Sequence, residues 1–386
     1  AVKPNNPEII VAKKRNIPVI PRIEMLVEIA RLKYTISVCG THGKTTTTSM
    51  LGLLLETCGY DPTIVVGGKF KNLGTGAKIG FGKYIVVESD ESDGSFLKLS
   101  PYVVISTNID NDHLDYYLTF ENLKKSFLQH YNSVPFYGFN ILCGDDINIQ
   151  SLLKDLHRKY FTYGLKPHND FIAKDISYKN DFLTYKVFHK KNFVGKMVLK
   201  VFGTHNVLNS LAVTSFGLTA EIPFNKIKLA LENFSGVARR LEYKGEILLP
   251  DTTKVKVYDD YGHHPTEMYN TINTLRKITN KNIVIIFQPH RYSRTKILFK
   301  DFYTAFSKED KIFLMKIYPA NEKPIPGITS KLIYDELKTK GYDISWYNEQ
   351  KVIKSLDKNC VLLTLGAGNV SLVSEYLIKK YGKNLK

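Results

Sequence analysis

The stretch SVCGTHGKTTTTSM, residues 37–50, decides how this chain is read. It ends like a phosphate-binding loop, with Gly43, Lys44 and Thr45, yet the common form G-x-x-x-x-G-K-[ST] is shortened because Gly40 stands only three positions before Gly43. Glycines at these points let backbone N–H groups approach phosphate oxygens, and a helix opening at the loop presents its positive end. Lys44 is then placed to reach the β- and γ-phosphates, and the Thr45 hydroxyl to ligate Mg2+. The flanks supply the required context: a strand YTISVCG (34–40) before the loop, and TTTTSMLGLLLETCG (45–59) after it, apolar at helical spacing. Gly40, Thr41, His42, Gly43, Lys44, Thr45 and Thr46 are therefore the first candidate ATP-binding residues.

Outward from the loop, two further strands, YIVVES and YVVISTNI, each end in acidic and polar residues. In an open α/β sheet ligands gather at the carboxyl ends of the strands, so both clusters are expected beside the loop. The first, ESDESDGSF, offers Glu88, Asp90, Glu91 and Asp93. Mg2+ takes one or two carboxylates plus water and phosphate, and spacing alone does not choose among the four. The second, TNIDNDHLD, sets Asp110, Asp112 and His113 together, a group able to hold a metal or orient a phosphate.

Strand and helix patterns alternate almost throughout, which predicts an α/β fold with mostly parallel sheets. Residues 160–202 are richer in alternating aromatic and β-branched residues and read as an antiparallel insertion or sheet edge. Near Gly236 the α/β rhythm restarts, with helices expected over 265–278, 293–307 and 330–340 and strands at NIVIIFQP, KIFLMKIYP and CVLLTLG. The expected units are 1–33 as the end of a preceding domain and a linker, 34–240 as a P-loop-type ATP-binding domain, and 241–386 as a Rossmann-like domain.

In that second half, DDYGHHPTE and FQPHRYSRT each follow a strand. Adjacent His263 and His264 alternate in direction and lack an H-E-x-x-H partner, so zinc catalysis is not indicated. Arg291 and Arg294, three apart at a helix start, can face one anionic group, and a guanidinium grips carboxylate bidentately. No G-x-S-x-G occurs and no cysteine has activating neighbours, which argues against covalent nucleophilic catalysis.

Composition narrows the classes. The 386 residues carry 54 Lys and Arg against 37 Asp and Glu, a formal charge of +17, but the lysines are scattered and no basic block of five appears. A Lys-rich solvated surface is expected, with no nucleic acid as partner. The longest apolar runs have strand length, so no membrane insertion is expected. Four widely spaced cysteines form no C-x-x-C pair, which fits a reducing cytoplasm. The start, AVKPNNPEII, has neither an initiator Met nor a signal-peptide pattern and reads as the interior of a longer protein.

Taken in order, GTHGKTTTT, ESDESDGSF, TNIDNDHLD, FGTHNVLNSLA, ARRLE, DDYGHHPTE, QPHRYSRT, YPANEKPIPG and LGAGN closely resemble the Mur ligase family, specifically its UDP-N-acetylmuramate–L-alanine ligases. The likeness runs over nearly the whole chain, and the short phosphate loop is characteristic of the wider Mur and folylpolyglutamate ligase superfamily. The resemblance implies that ATP phosphorylates the lactyl carboxylate of UDP-N-acetylmuramate and that L-alanine's amine attacks the acyl phosphate, in peptidoglycan synthesis. It implies that Lys44 stabilises the transferring phosphoryl group. Of two Mg2+ ions, one is held by Thr45 and Glu88 and the other with help from His113. Asn206 and Asn209 match adenine contacts, Arg240 a position near phosphates and ribose, and Asp260 one near the ribose. His263, Arg291 and Arg294 match the amino-acid site, with His263 orienting the amine. Members begin with a UDP-binding domain of which this chain is expected to hold only the last segment, so ATP binding with little or no turnover is expected of it. The alternatives are the ligase that recycles muramyl tripeptide, which shares GTHGKTTT, and, from a different class, a nucleic-acid-stimulated P-loop ATPase. Oligomeric state is left open.

Overall fold

The computed structural model of the chain describes residues 2, 4–70, 75–179 and 182–382. Two sheets organise it. The first holds β1 (Tyr34–Cys39), β2 (Thr63–Phe70), β3 (Thr75–Lys78), β4 (Tyr84–Glu88), β5 (Val103–Ser106), β6 (Phe139–Cys143), β7 (Tyr160–Gly164), β8 (Phe171–Lys179), β9 (Phe182–His189) and β10 (Asn192–Leu199). Their order is β10-β9-β8-β7-β6-β5-β1-β4-β2-β3. Strand β1 runs parallel to β4 on one side and β5 on the other, so the chain reverses its direction of travel across the sheet there. Register sets Val38 opposite Glu88 and Cys39 opposite Ser106, which brings the loops after all three strands to one crevice, the usual place for a ligand in such a sheet.

Residues Thr35 to Cys39 are all buried, as expected of a central parallel strand covered on both faces. The helix Lys44–Thr57 buries Met50, Leu51, Leu54 and Leu55 and packs on the helices Thr204–Thr219 and Phe224–Glu232. Strands β8, β9 and β10 pair antiparallel at the edge, and β9 buries Leu183, Tyr185 and Val187 in alternation, as the sequence pattern predicts.

The second sheet holds β11 (Glu242–Leu248), β12 (Lys254–Asp260), β13 (Asn282–Phe287), β14 (Lys311–Leu314), β15 (Asp343–Trp346) and β16 (Cys360–Leu365), in the order β11-β12-β16-β13-β14-β15. All pairings but β11 with β12 are parallel. Ile283, Ile285 and Phe287 enter one core layer and Val284 and Ile286 the other, so helices cover both faces.

Some boundaries differ from those expected. The helix expected over 293–307 ends at Leu298, and a separate 3-10 turn follows at Phe302–Ala305. KIFLMKIYP pairs only over Lys311–Leu314, because the residues beyond turn into the loop that holds Tyr318 against His290. Strand β11 lacks a clean alternation because its register shifts between Tyr243 and Gly245, and Gly245 has φ 141°. Ahead of the first sheet, the helix Pro7–Lys14 buries nothing, while Arg22–Arg31 sets Val27 and Ala30 against Ile85, Val87 and Leu99. No helix among the described residues is long and apolar enough to cross a membrane.

Candidate active site

The phosphate loop has the backbone its glycines predict. Gly40 and Gly43 have φ 125° and 85°, a region side chains rarely adopt. A Cβ on Gly40 would overlap the Thr107 hydroxyl, and one on Gly43 would come 2.6 Å from Asn209 Oδ1. Gly43 caps the helix Lys44–Thr57 without a side chain, leaving its first N–H groups open to the crevice.

Lys44 Nζ donates to the Gly40 carbonyl at 2.6 Å and to Glu91 Oε1 and Oε2 at 2.9 and 2.8 Å. Burial alone would lower its pKa; the Glu91 carboxylate more than offsets this and holds the ammonium above its ordinary value. Thr45 Oγ1 donates to Glu88 Oε1 at 2.8 Å, and Glu88 Oε2 accepts from Gly67 N at 2.6 Å. His113, in left-handed backbone at φ 59°, places Nε2 at 3.8 Å from Glu91 Oε1 and 3.7 Å from Asp112 Oδ2. Asp90, Glu91 and His113 offer ligand atoms within 4.8 Å of one another. Thr45 and Glu88 are thus brought together as expected, while His113 falls with a second carboxylate pair. Both groups are dominated by oxygen donors, which suits Mg2+.

Of the predicted nucleotide residues, His42, Gly43, Thr46, Asn206, Asn209, Arg240 and Asp260 line one cavity of about 320 Å3, while Gly40, Thr41, Lys44 and Thr45 are not among its lining residues. Asn209 Nδ2 donates to Asn206 Oδ1 at 3.2 Å, and Asn206 Nδ2 to the Phe202 carbonyl at 2.7 Å. Asp260 accepts from Leu241 N and Gly262 N at 2.6 and 2.7 Å; burial, only partly opposed by Arg240, pushes its carboxyl up to about 6. The cavity has walls from both halves, because Thr266 and Glu267 of the helix Pro265–Thr279 line it too.

Side chains bridge the two halves directly. His42 Nε2 meets Asp110 Oδ2 at 3.0 Å and Nδ1 meets Glu267 Oε1 at 3.3 Å. Burial would lower this imidazole, but the two carboxylates hold it up at about 9. Thr266 Oγ1 donates to Asp110 Oδ2 at 2.8 Å. Arg294 Nη2 lies 3.3 Å from Asp112 Oδ2; against burial, Arg294 and His113 hold the Asp112 carboxyl well below the usual carboxylate range.

Arg291 and Arg294 line one pocket with Asp112 and His113, and the Nε of each arginine is buried with no hydrogen-bond partner among the described residues. Arg294 Nη1 contacts His290 Nδ1 at 3.3 Å, and the rings of His263 and His290 lie 5.5 Å apart. Burial and the Arg294 charge push His263 down to about 3, so its ring is neutral. Its Nδ1 donates to the Tyr261 carbonyl at 3.2 Å, which leaves Nε2 as an acceptor.

Three residues gain weight from the structure. Glu91 was one of four indistinguishable carboxylates, and only its contact with Lys44 singles it out. Glu267, three residues after the helix-capping His264, has the spacing of an ordinary capping carboxylate, yet it meets His42, His263 and Arg240. Against burial, the hydrogen bond and charge of His42 and the Arg240 guanidinium hold it ionised, well below the usual range. His290 gave no sequence signal beyond its place before Arg291.

The chain matches known proteins over almost its whole length. The Mur ligase middle domain model matches residues 38–217, and the Mur ligase, glutamate ligase domain model matches residues 239–368. The UDP-N-acetylmuramate–L-alanine ligase of Endomicrobium trichonymphae is 47% identical over 380 residues, 98% of this chain and 83% of that protein. Its counterpart in Syntrophotalea carbinolica is 44% identical over 385 residues, 98% of this chain and 82% of that protein. Among solved structures, the UDP-N-acetylmuramate-alanine ligase of Thermotoga maritima superimposes with a TM-score of 0.79 at 27% identity, covering 99% of this chain and 84% of that one. A murein peptide ligase from Psychrobacter arcticus superimposes at 0.69 with 20% identity over 100% of this chain and 85% of that one, a likeness of fold alone. Phosphate loop, two-sheet architecture, the two family models and similarity over 98% of this chain to these relatives lead to one conclusion, that the chain belongs to the Mur ligase family.

Proposed function

We propose that the chain catalyses ATP-dependent joining of L-alanine to the lactyl carboxylate of UDP-N-acetylmuramate, through an acyl phosphate, in cytoplasmic synthesis of peptidoglycan precursors. Residues 34–240 form the ATP unit and 241–386 the amino-acid unit, a division supported by the two sheets. The observation that carries the reading is the meeting of two pockets: Arg291 and Arg294 of the second half face Asp112 and His113 of the first, and His113 adjoins the Glu91 that pairs with Lys44.

In this reading Lys44 leaves Glu91 for the phosphates of ATP, exchanging one anion for another at little cost in burial. Thr45 with Glu88, and His113 with Asp90 and Glu91, would hold Mg2+, which when bound neutralises phosphate charge. Asn206, Asn209, Arg240 and Asp260 bind the nucleoside and its phosphates inside the shared cavity. Arg291 and Arg294 take the carboxylate of L-alanine, for which their unpartnered Nε–H groups are suited donors. An α-amine has an unperturbed pKa near 8, so a useful fraction is neutral at physiological pH. His263 Nε2 orients that amine by accepting a hydrogen bond; a ring held neutral down to about pH 3 does not need to take its proton. Catalysis then rests on positioning and charge neutralisation.

The test is to trap the intermediate. With Mg-ATP, UDP-N-acetylmuramate and hydroxylamine but no L-alanine, a version extended to the full length of the relatives the chain matches should yield the hydroxamate of the lactyl carboxylate, and its Lys44→Ala variant should not. Hydroxamate formed equally by both would remove Lys44 from the reading.

A further inference from the structure

A third group of ligand-bearing side chains lies outside both Mg2+ candidates. His42 of the phosphate loop, Asp110 after β5 and His264 at the start of the helix Pro265–Thr279 present ligand atoms within 4.8 Å of one another. Asp110 Oδ2 is central, 3.0 Å from His42 Nε2 and 3.7 Å from His264 Nδ1. Zinc bonds of about 2.0–2.2 Å to imidazole and carboxylate set ligand separations of about 3.4 Å around a tetrahedron. The observed spacings bracket that value.

The supporting contacts are also those of a metal site. The second nitrogen of His42 faces Glu267 Oε1 at 3.3 Å, the arrangement in which an outer carboxylate fixes the tautomer and direction of a ligating histidine; a cation on Nε2 takes the place of the proton that the two carboxylates otherwise hold there. Asp110 Oδ1 accepts from Asn111 N at 2.8 Å, which orients its other oxygen, and that oxygen also accepts from Thr266 Oγ1 at 2.8 Å. His264 is 5% exposed; its Nδ1 receives only a long bond of 3.4 Å from Thr266 N, and its Nε2 has no partner among the described residues. Nδ1, the nitrogen that faces Asp110, gives up that long bond to take a cation, and Nε2 carries the ring proton.

We propose that His42, Asp110 and His264 bind one borderline divalent cation of the zinc type, a site distinct from those of Mg2+ in its two imidazole ligands. It joins residues from both halves. Its occupant therefore fastens the phosphate loop to the helix Pro265–Thr279 and closes one wall of the nucleotide cavity, so zinc at this site opposes nucleotide entry.

The nucleotide-free protein is titrated with Zn2+ against a chromophoric chelator, and with Co2+ to read the visible spectrum of a tetrahedral site. One Zn2+ per chain is expected, with affinity at least about tenfold weaker in His264→Asn and in Asp110→Asn. Asn retains the helix cap at position 264, and Asp110→Asn serves independently if the first variant does not fold. His113→Ala, which removes a ligand of the neighbouring Mg2+ candidate, should leave zinc affinity unchanged. Wild-type affinity in a folded His264→Asn or Asp110→Asn protein, no stoichiometric binding at all, or loss of zinc in His113→Ala alone would overturn the proposal.

Discussion

The ammonium of Lys44 lies 2.8 Å from Glu91 Oε2, and the Glu91 side chain is 1% exposed, so the cation of the phosphate loop already has a buried counter-charge before any nucleotide arrives. Removing one partner of a buried pair leaves the other uncompensated, at a cost of about 3 kcal/mol or more. Glu91→Gln should therefore lower the stability of the ligand-free protein by that order. Phosphate would then replace the lost charge, so saturating nucleotide should raise the melting temperature of the variant more than that of the wild type. Equal shifts in a thermal-melt series would show that Glu91 does not stand in for phosphate.

Gly43→Ala tests the loop backbone. Position 43 has φ 85°, and an added Cβ would meet Asn209 Oδ1 at 2.6 Å. The strained backbone costs about 1–3 kcal/mol, and Asn209 is displaced from the cavity. ATP affinity measured by calorimetry should fall by on the order of tenfold or more, with the second sheet's stability unaffected.

Arg294→Lys tests the amino-acid pocket. Lysine keeps the charge but loses the fork that meets Asp112 and His290. Loss of one charge-assisted bond to a carboxylate is worth about 1.5–3 kcal/mol, or roughly 10- to 100-fold. The expected result is a rise of that size in KM for L-alanine with a smaller change in KM for ATP. A rise confined to ATP would move Arg294 to the other substrate.

Asp260 supplies a pH signature. Burial lifts its carboxyl to about 6, opposed by Arg240 and reinforced by Glu267, while two backbone N–H groups hold its oxygens. The unfolded chain loses this proton near pH 4. Its contribution to stability is thus complete below about pH 4, declines as pH rises toward 6, and is gone above that, a change of about 3 kcal/mol. Urea unfolding of wild type and Asp260→Asn across pH 4 to 7 should show the wild type losing stability relative to the variant as pH rises; a relative gain would contradict the burial argument.

Much of this was legible in the sequence because the signals are local. Glycines at 40 and 43, the helical spacing after Lys44 and the alternation at β9 each state a backbone requirement within a few residues. Arg291 and Arg294 were readable as a pair for the same reason. Glu91, Glu267 and His290 were not singled out, since their partners are distant in sequence: Lys44 is 47 positions from Glu91, and His42 reaches Glu267 across the two halves. Strand β11 is not legible because a bulge at Gly245 breaks its period, and the helix after Arg291 reads longer than it is because its apolar spacing continues into a separate turn.

The central claim is that one site, built from both halves, couples ATP to amide formation. It is tested most directly by measuring phosphate release from Mg-ATP with UDP-N-acetylmuramate and L-alanine, singly and together. The measurement is made on this chain and on a version extended to the full length of the relatives it matches. The account predicts that the extended version releases phosphate only with both substrates, that this release is lost in its Lys44→Ala variant, and that the shorter chain releases little. Release indifferent to L-alanine in both versions, or driven instead by muramyl tripeptide or DNA, would contradict it.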